Sequence, residues 1–194
     1  MNQQDRFAFM ADEEDYINEF AERIHMYNLG AGWWDGEIDF PWYLTKVQLT
    51  ITEIAEATEG VRKDLMDDHL PHRKMEEVEL ADALIRLLDL GYHCGLKYES
   101  TNWGMLNFDD LSDLSKTPPA LHFMVSREIV HFGCAFFVSK PQNHLYSMCI
   151  DALFIVSSIL GHDIKAAAEE KFIYNQNRAD HKRENRAKEG GKKF

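Results

Sequence analysis

The chain has 194 residues, of which 45% are hydrophobic and 28% charged, and its 33 acidic against 21 basic side chains leave a net charge of −12. Such a surface repels a phosphate backbone, which excludes tight binding to DNA or RNA polymers, although a bound divalent metal can reverse the sign locally for a small anion. Only 11 glycines and 5 prolines punctuate it, so long helices are expected and a turn-rich β architecture is not.

The length suits one domain over residues 1–194. Cys94, Cys134 and Cys149 lie far apart with no C-x-x-C pair, which predicts reduced, buried thiols and a cytoplasmic protein. The polar, acidic start gives no sign of a signal peptide, and no apolar run approaches the ~20 residues of a membrane span. A cytoplasmic protein without membrane contact is therefore expected.

In chain order, a first helix is predicted over about Glu13–Tyr27, closed by the stretch Leu29-Gly30-Ala31-Gly32. Trp33 and Trp34 follow in a loop, and Pro41 opens a second helix to about Leu65. A polar turn, Asp67-Asp68-His69, leads to a third helix from Pro71 to about Cys94. Residues 97–119 read as a connecting excursion with room for one short helix. Two apolar helices, 118–139 and 141–160, and a last helix, 164–178, complete an all-α chain, with a mobile basic tail expected over 181–194.

The second helix carries Glu53 and Glu56, and the third carries Glu79 and Asp82. Each pair is spaced i, i+3, so both carboxylates project from one face of their helix. Two facing helices would then gather four hard oxygen donors suited to Mg²⁺ or Mn²⁺. Either pair alone also fits a solvated acidic face, and Glu56 with Glu59 has the same spacing. The third helix tips the balance. Glu79, Asp82, Arg86, Asp89 and His93 fall within roughly 80° of arc, and apolar residues cover nearly all the rest. A helix with so narrow a polar stripe is largely buried, and unpaired carboxylates inside a bundle are costly without a cation.

The order E-x-x-E, 22 residues, E-x-x-D resembles the signature of the MazG-like nucleotide pyrophosphohydrolases, here Thr52-Glu53-Ile54-Ala55-Glu56 and Glu79-Leu80-Ala81-Asp82. Asn28, Gly32, Trp33 and Trp34 resemble the loop after that family's first helix, and Lys171-Phe172-Ile173-Tyr174-Asn175-Gln176-Asn177-Arg178 its closing K-x-x-x-N-x-x-R element. The resemblance covers about 14–95 and 153–183. It implies Mg²⁺-dependent hydrolysis of nucleoside triphosphates, deoxynucleotides included, to monophosphate and pyrophosphate. On that reading Glu53, Glu56, Glu79 and Asp82 hold the metal, and one of the glutamates can serve as general base. Lys171, Asn175 and Arg178, at i, i+4 and i+7, would meet phosphate oxygens, with Arg86 and more weakly Lys63 in support. Trp34 would stack on the base near His25, with Trp33 plugging a gap between helices. A homodimer is expected.

The family passes almost directly from its third helix to its last, whereas about 97–152 is inserted here. Part of the insert resembles a degenerate copy of the first half, with Glu128 matching Glu53 and Asp151 matching Asp82, but His131 and Met148 standing for Glu56 and Glu79. Two other readings compete: a helical nucleotide-binding or regulatory protein without catalysis, and a ferritin-like di-iron protein, for which Glu128 and His131 supply a single E-x-x-H.

Overall fold

The computed structural model describes residues 3–101, 116–138, 142–186 and 188–190, and the chain is all-α, with no strand among the described residues. The helices are α1 (Gln3–Gly30), α2 (Phe40–Lys63), α3 (Met75–His93), α4 (Pro118–Val138), α5 (Asn143–Leu160) and α6 (Ile164–Asn177), followed by a 3₁₀ turn (Ala179–His181) and a short α7 (Arg183–Arg186).

Local chemistry sets the helix ends. The Asp39 carboxylate caps α2 by accepting from Trp42 N at 2.9 Å, with Pro41 in the first turn where no amide donor is needed. At the other end Asp64 turns left-handed (φ 51°) and its amide meets the Gly60 and Val61 carbonyls, so α2 stops two residues before the predicted Leu65. The predicted third helix loses its first turn for a similar reason. The Asp67 carboxylate accepts from His69 N (2.9 Å) and Leu70 N (2.7 Å), and Met66 bridges to Lys74, so 66–74 is a folded loop and α3 begins at Met75. Gly161, at φ 78°, ends α5, and Asp163 caps α6 through Ala166 N. The first helix starts at Gln3, a full ten residues earlier than predicted.

Helix α3 is the axis of the bundle. It is packed by α1, α2, α5 and α6, while α4 lies against α2 and α5. Val78, Leu80, Ala81, Ala83, Leu84, Leu87, Leu88 and Leu90 are buried around its circumference, as its narrow polar stripe requires. Two glycines let the 97–152 region approach closely. A Cβ on Gly91 would lie 2.2 Å from the fully buried Tyr146 ring of α5, and one on Gly133 would lie 2.8 Å from Val47 of α2. His122 of α4 contacts Thr58 of α2 at 2.9 Å and Glu76 of α3 at 3.0 Å.

Cys149 is buried and Cys94 partly so, but Cys134 is exposed on α4, contrary to the expectation of three buried thiols. Contrary to the expectation that no apolar run approaches a membrane span, helix α5 is long and apolar enough, by length and composition, to cross a membrane; half of it is buried in the bundle. The short helix anticipated within 97–119 falls largely on residues outside those described. Part of the basic segment read as a tail is seated on the bundle. Arg186 donates to the Ala31 carbonyl at 2.9 Å and lies 3.5 Å from the Trp33 ring centre, and Arg183 pairs with Asp35 at 2.6 Å.

Candidate functional site

Where α2, α3 and α6 meet the loop after α1 there is a pocket of about 520 Å³. Glu53 and Glu56 enter it from α2, and Glu79, Asp82, Arg86 and Asp89 from α3. Lys171, Asn175 and Arg178 come from α6 and its C-cap, with His69, Asn28, Trp33 and Lys46 completing much of the wall. The structure thus gathers the four predicted carboxylates and the four predicted donors around one cavity.

Carboxylate oxygens of Glu53, Glu56 and Glu79 lie within 4.8 Å of one another, close enough to share one cation. Glu53 and Glu79 are buried, at 6% and 7% exposure, and Glu56 is exposed. Burial, Asp82, Glu53 and Glu56 push the Glu79 carboxyl up to about 9 against the opposing pull of Lys171. Burial also raises Glu53, despite its ion pair with Arg86. Among the described residues neither Glu56 nor Glu79 has a hydrogen bond or an ion pair, so the acidic side of the pocket is short of positive charge. The Asn175 side-chain oxygen is buried without a partner, one more hard donor at the same wall. This all-oxygen set, with like charges left uncompensated, fits a hard divalent cation.

The fourth acid, Asp82, is held differently. Its Oδ2 is 3.1 Å from Lys171 Nζ, and its Oδ1 accepts from Asn175 at 3.4 Å. Lys171 is 2% exposed and lies 3.7 Å from Asp67 and 3.3 Å from His69 Nδ1. Burial works against its charge, but Asp82, Asp67 and Glu79 outweigh it and raise its pKa. Lys171 therefore ties α6 to the carboxylate pair of α3 and to the α2–α3 loop. Arg178 meanwhile forks onto Asp180 at 2.7 and 2.9 Å, and His69 stacks on Tyr174 with ring centres 4.6 Å apart. Lys63 pairs with Glu59 and is not in the pocket wall.

The predicted base-binding pair lies behind the wall. Trp34 is 6% exposed, stacks on His93 at 3.7 Å, and donates Nε1 to Asp89 at 3.0 Å. His25 Nδ1 meets the same carboxylate at 2.7 Å, and Asn28 donates to it at 2.7 Å. Asp89 is a buried hub that locks the first helix, the loop and α3 together. Trp33, expected to be the plug, lines the pocket instead. Beside it Lys46 sits 5.9, 5.3 and 4.5 Å from the Trp33, Trp34 and Trp42 ring centres, and burial lowers its pKa to about 8.

Lys46, His69 and Asp67 were not singled out from the sequence. Lys46 carries a usable signal, since it shares the face of α2 that bears Glu53, seven residues on. His69 carries none, because its position follows from the Asp67-held loop. The degenerate copy, lacking two of the four carboxylates, is not expected to bind Mg²⁺, and its remaining acids do not line the pocket. Glu128 is buried and paired with its neighbour Arg127, while Asp151 accepts from Tyr98 Oη at 2.7 Å and from Thr101. His131 is exposed, so Glu128 and His131 do not converge as a di-iron pair would.

Comparison with models of known protein families, with curated proteins and with solved structures found no match in any of the three. The residues and their geometry alone carry the functional reading.

Proposed function

We propose that the chain is a Mg²⁺-dependent nucleoside triphosphate pyrophosphohydrolase of the MazG-like type, converting a nucleoside triphosphate to its monophosphate and pyrophosphate. The observation that carries this reading is one pocket lined by three carboxylates within sharing distance of a cation, by Lys171, Asn175 and Arg178, and by an aromatic–cationic wall of Trp33 and Lys46. A triphosphate needs the first two groups, and a nucleoside needs the third.

Glu53, Glu56, Glu79 and Asp82 would hold Mg²⁺ or Mn²⁺, which when bound neutralises phosphate charge and lowers the pKa of a coordinated water. Glu53 and Asp82 are positioned by Arg86 and Lys171 respectively, so their carboxylates are oriented before substrate arrives. Glu56 and Glu79, without hydrogen-bond or ion-pair partners among the described residues, are the two candidates to take the proton from the water that attacks the α-phosphorus. Arg178 and Arg86 exchange carboxylate partners for phosphate oxygens, a switch between chemically similar bidentate acceptors. Trp33 offers a ring wall to the base, supported from behind by Trp34 and Asp89.

The test is to incubate the purified protein with a panel of nucleoside and deoxynucleoside triphosphates and Mg²⁺, resolving products by ion exchange beside Glu79→Gln. Monophosphate and pyrophosphate, lost in the variant and with EDTA, are expected. Diphosphate with free phosphate would overturn the chemistry, and metal-independent binding without turnover would favour a non-catalytic nucleotide-binding protein.

A further inference from the structure

The two most exposed large apolar side chains among the described residues are Phe123, at 69%, and Phe137, at 65%, and both belong to α4. Val130, 49% exposed, stands midway between them, seven residues from each. At about 100° per residue, Phe123, Arg127, Val130, Cys134 and Phe137 fall within roughly 80° of one another on the side of α4 turned away from the bundle. Leu121, Val125, Ile129 and Phe132 fill the opposite side and are fully buried. Helix α4 is therefore apolar on both faces, and only one of them has a partner among the described residues.

Charge narrows what can cover the other face. Glu128 and Asp151 are the only carboxylates on α4 and α5, and both are buried. A chain with 33 acidic residues thus keeps the outer side of this helix pair free of exposed acids among the described residues, leaving Arg127, the exposed His131 and the Cys134 thiol as its charged or titratable groups on α4. Two copies of so acidic a molecule repel one another as a whole, and a face without exposed acids lowers that repulsion where they meet.

Spacing selects the occupant. Phe123, Val130 and Phe137 recur every seven residues, with Cys134 between the last two, which lays an apolar stripe along the helix of the kind a second α-helix packs on. The repeat is also symmetric about its centre: a two-fold axis through Val130 sets Phe123 of each copy against Phe137 of the other. Arg127 then faces the small, uncharged end of the partner helix near Gly133 and Cys134 rather than its own counterpart. Phe40 of α2, 40% exposed and 4.8 Å from Phe137 ring to ring, widens the patch at both ends of the pair.

We infer that the outer face of α4 is a self-association surface, on which two copies of the chain pack antiparallel about Val130. Four phenylalanines at about two-thirds exposure contribute on the order of 500 Å². With Val130, Phe40 and the flanking Arg127, His131 and Cys134, the contact reaches the low end of stable interfaces, about 1,200 Å² in total. The dimer is accordingly concentration-dependent, with a dissociation constant of micromolar order.

Sedimentation equilibrium of the full chain, from about 1 µM to about 100 µM, tests this against the micromolar expectation. The wild type is expected to pass from monomer to dimer across that range, and Val130→Glu to remain monomeric with an unchanged circular dichroism spectrum. A second arm uses Val130→Cys in a Cys134→Ser background, since only a two-fold axis at this position brings residue 130 against itself. Mild oxidation should then give a covalent dimer that Cys134→Ser alone does not form. A monomeric wild type throughout, a Val130→Glu dimer, or failure of the position-130 cross-link would each overturn the inference. So would cosedimentation of the monomer with phosphatidylcholine–phosphatidylserine vesicles that Val130→Glu abolishes, which would make the face a lipid surface.

Discussion

Trp33 and Trp34 are adjacent in the chain and do unlike work. Trp34 is locked between His93 and Asp89 inside the bundle, whereas Trp33 turns its ring to the pocket, with Arg186 against it. Trp34→Ala should therefore destabilise the fold by about 3–5 kcal/mol, a melting temperature lower by roughly 6–20 °C. Trp33→Ala should shift the melt by only a few degrees but raise KM about tenfold, the size of one lost base–aromatic stack. Thermal melts and steady-state kinetics on the two variants separate the roles. Sequence could place both residues at the site but not orient them, because Gly32, at φ 77°, sets the turn that decides which ring faces inward. Glu79 is legible in the opposite sense: its spacing announced it, and its buried, like-charged surroundings give it a measurable signature. With its carboxyl raised to about 9, Glu79 must take up a proton on folding at neutral pH when no cation is bound. Glu79→Gln removes that cost, so in EDTA at neutral pH it should melt about 2–6 °C higher than the wild type. It should also lose the stabilisation that Mg²⁺ with a non-hydrolysable nucleotide gives the native chain.

The helices themselves were readable, since capping acids, prolines and apolar periodicity are local signals; what escaped was how loops hold them together. The clasp around Glu76 is an example. Burial disfavours its charge, but His122 of α4 and His162 of the α5–α6 junction more than offset this and bring the carboxyl down to about 2. Asp163 N adds a bond to the neighbouring Glu77 at 2.9 Å, so the start of α3 fastens two other elements. Residues 86 positions apart leave no sequence pattern. The folded pKa lies below the ordinary value of 4.5, so the stability contributed by Glu76 is complete above that pH and disappears as pH falls toward 2. Glu76→Gln should lower the melting temperature at pH 6 by roughly 3–10 °C, as expected for about 1–3 kcal/mol lost from a buried hydrogen-bonded carboxylate. The gap between variant and wild type should close as the buffer is taken from pH 5 to about 2. A gap that persists unchanged at the acid end would show that Glu76 acts through its shape rather than its charge.

At the scale of the whole molecule the sequence yielded an all-α chain, one acidic site and the two apolar helices at 118–138 and 143–160, while what the inserted region does was legible only as a resemblance between short segments. The carboxylates of its two helices serve the fold rather than a second site: Asp151 anchors Tyr98 and Thr101, and Glu128 is buried beside Arg127. Its contribution lies in packing. Tyr146 fills the space over Gly91, Gly133 seats α4 on Val47, and His122 joins Thr58 to Glu76. Leu121, Val125, Ile129, Phe132, Cys149 and Ile150 are all fully buried by the same packing. Removing residues 97–152 would therefore expose the facing surfaces of α2 and α3 together, an apolar area well beyond the few hundred Å² that a monomeric surface normally presents. Replacing that region with a short Gly/Ser linker should abolish the folded monomer, even though all four carboxylates and Lys171, Asn175 and Arg178 remain in the shortened chain. Size-exclusion chromatography with light scattering, read beside circular dichroism, is the check. A helical, monodisperse monomer would mean that the pocket-bearing helices α1, α2, α3 and α6 are stable without the insert, and that α4 and the first half of α5 are packed on a finished bundle rather than part of its core.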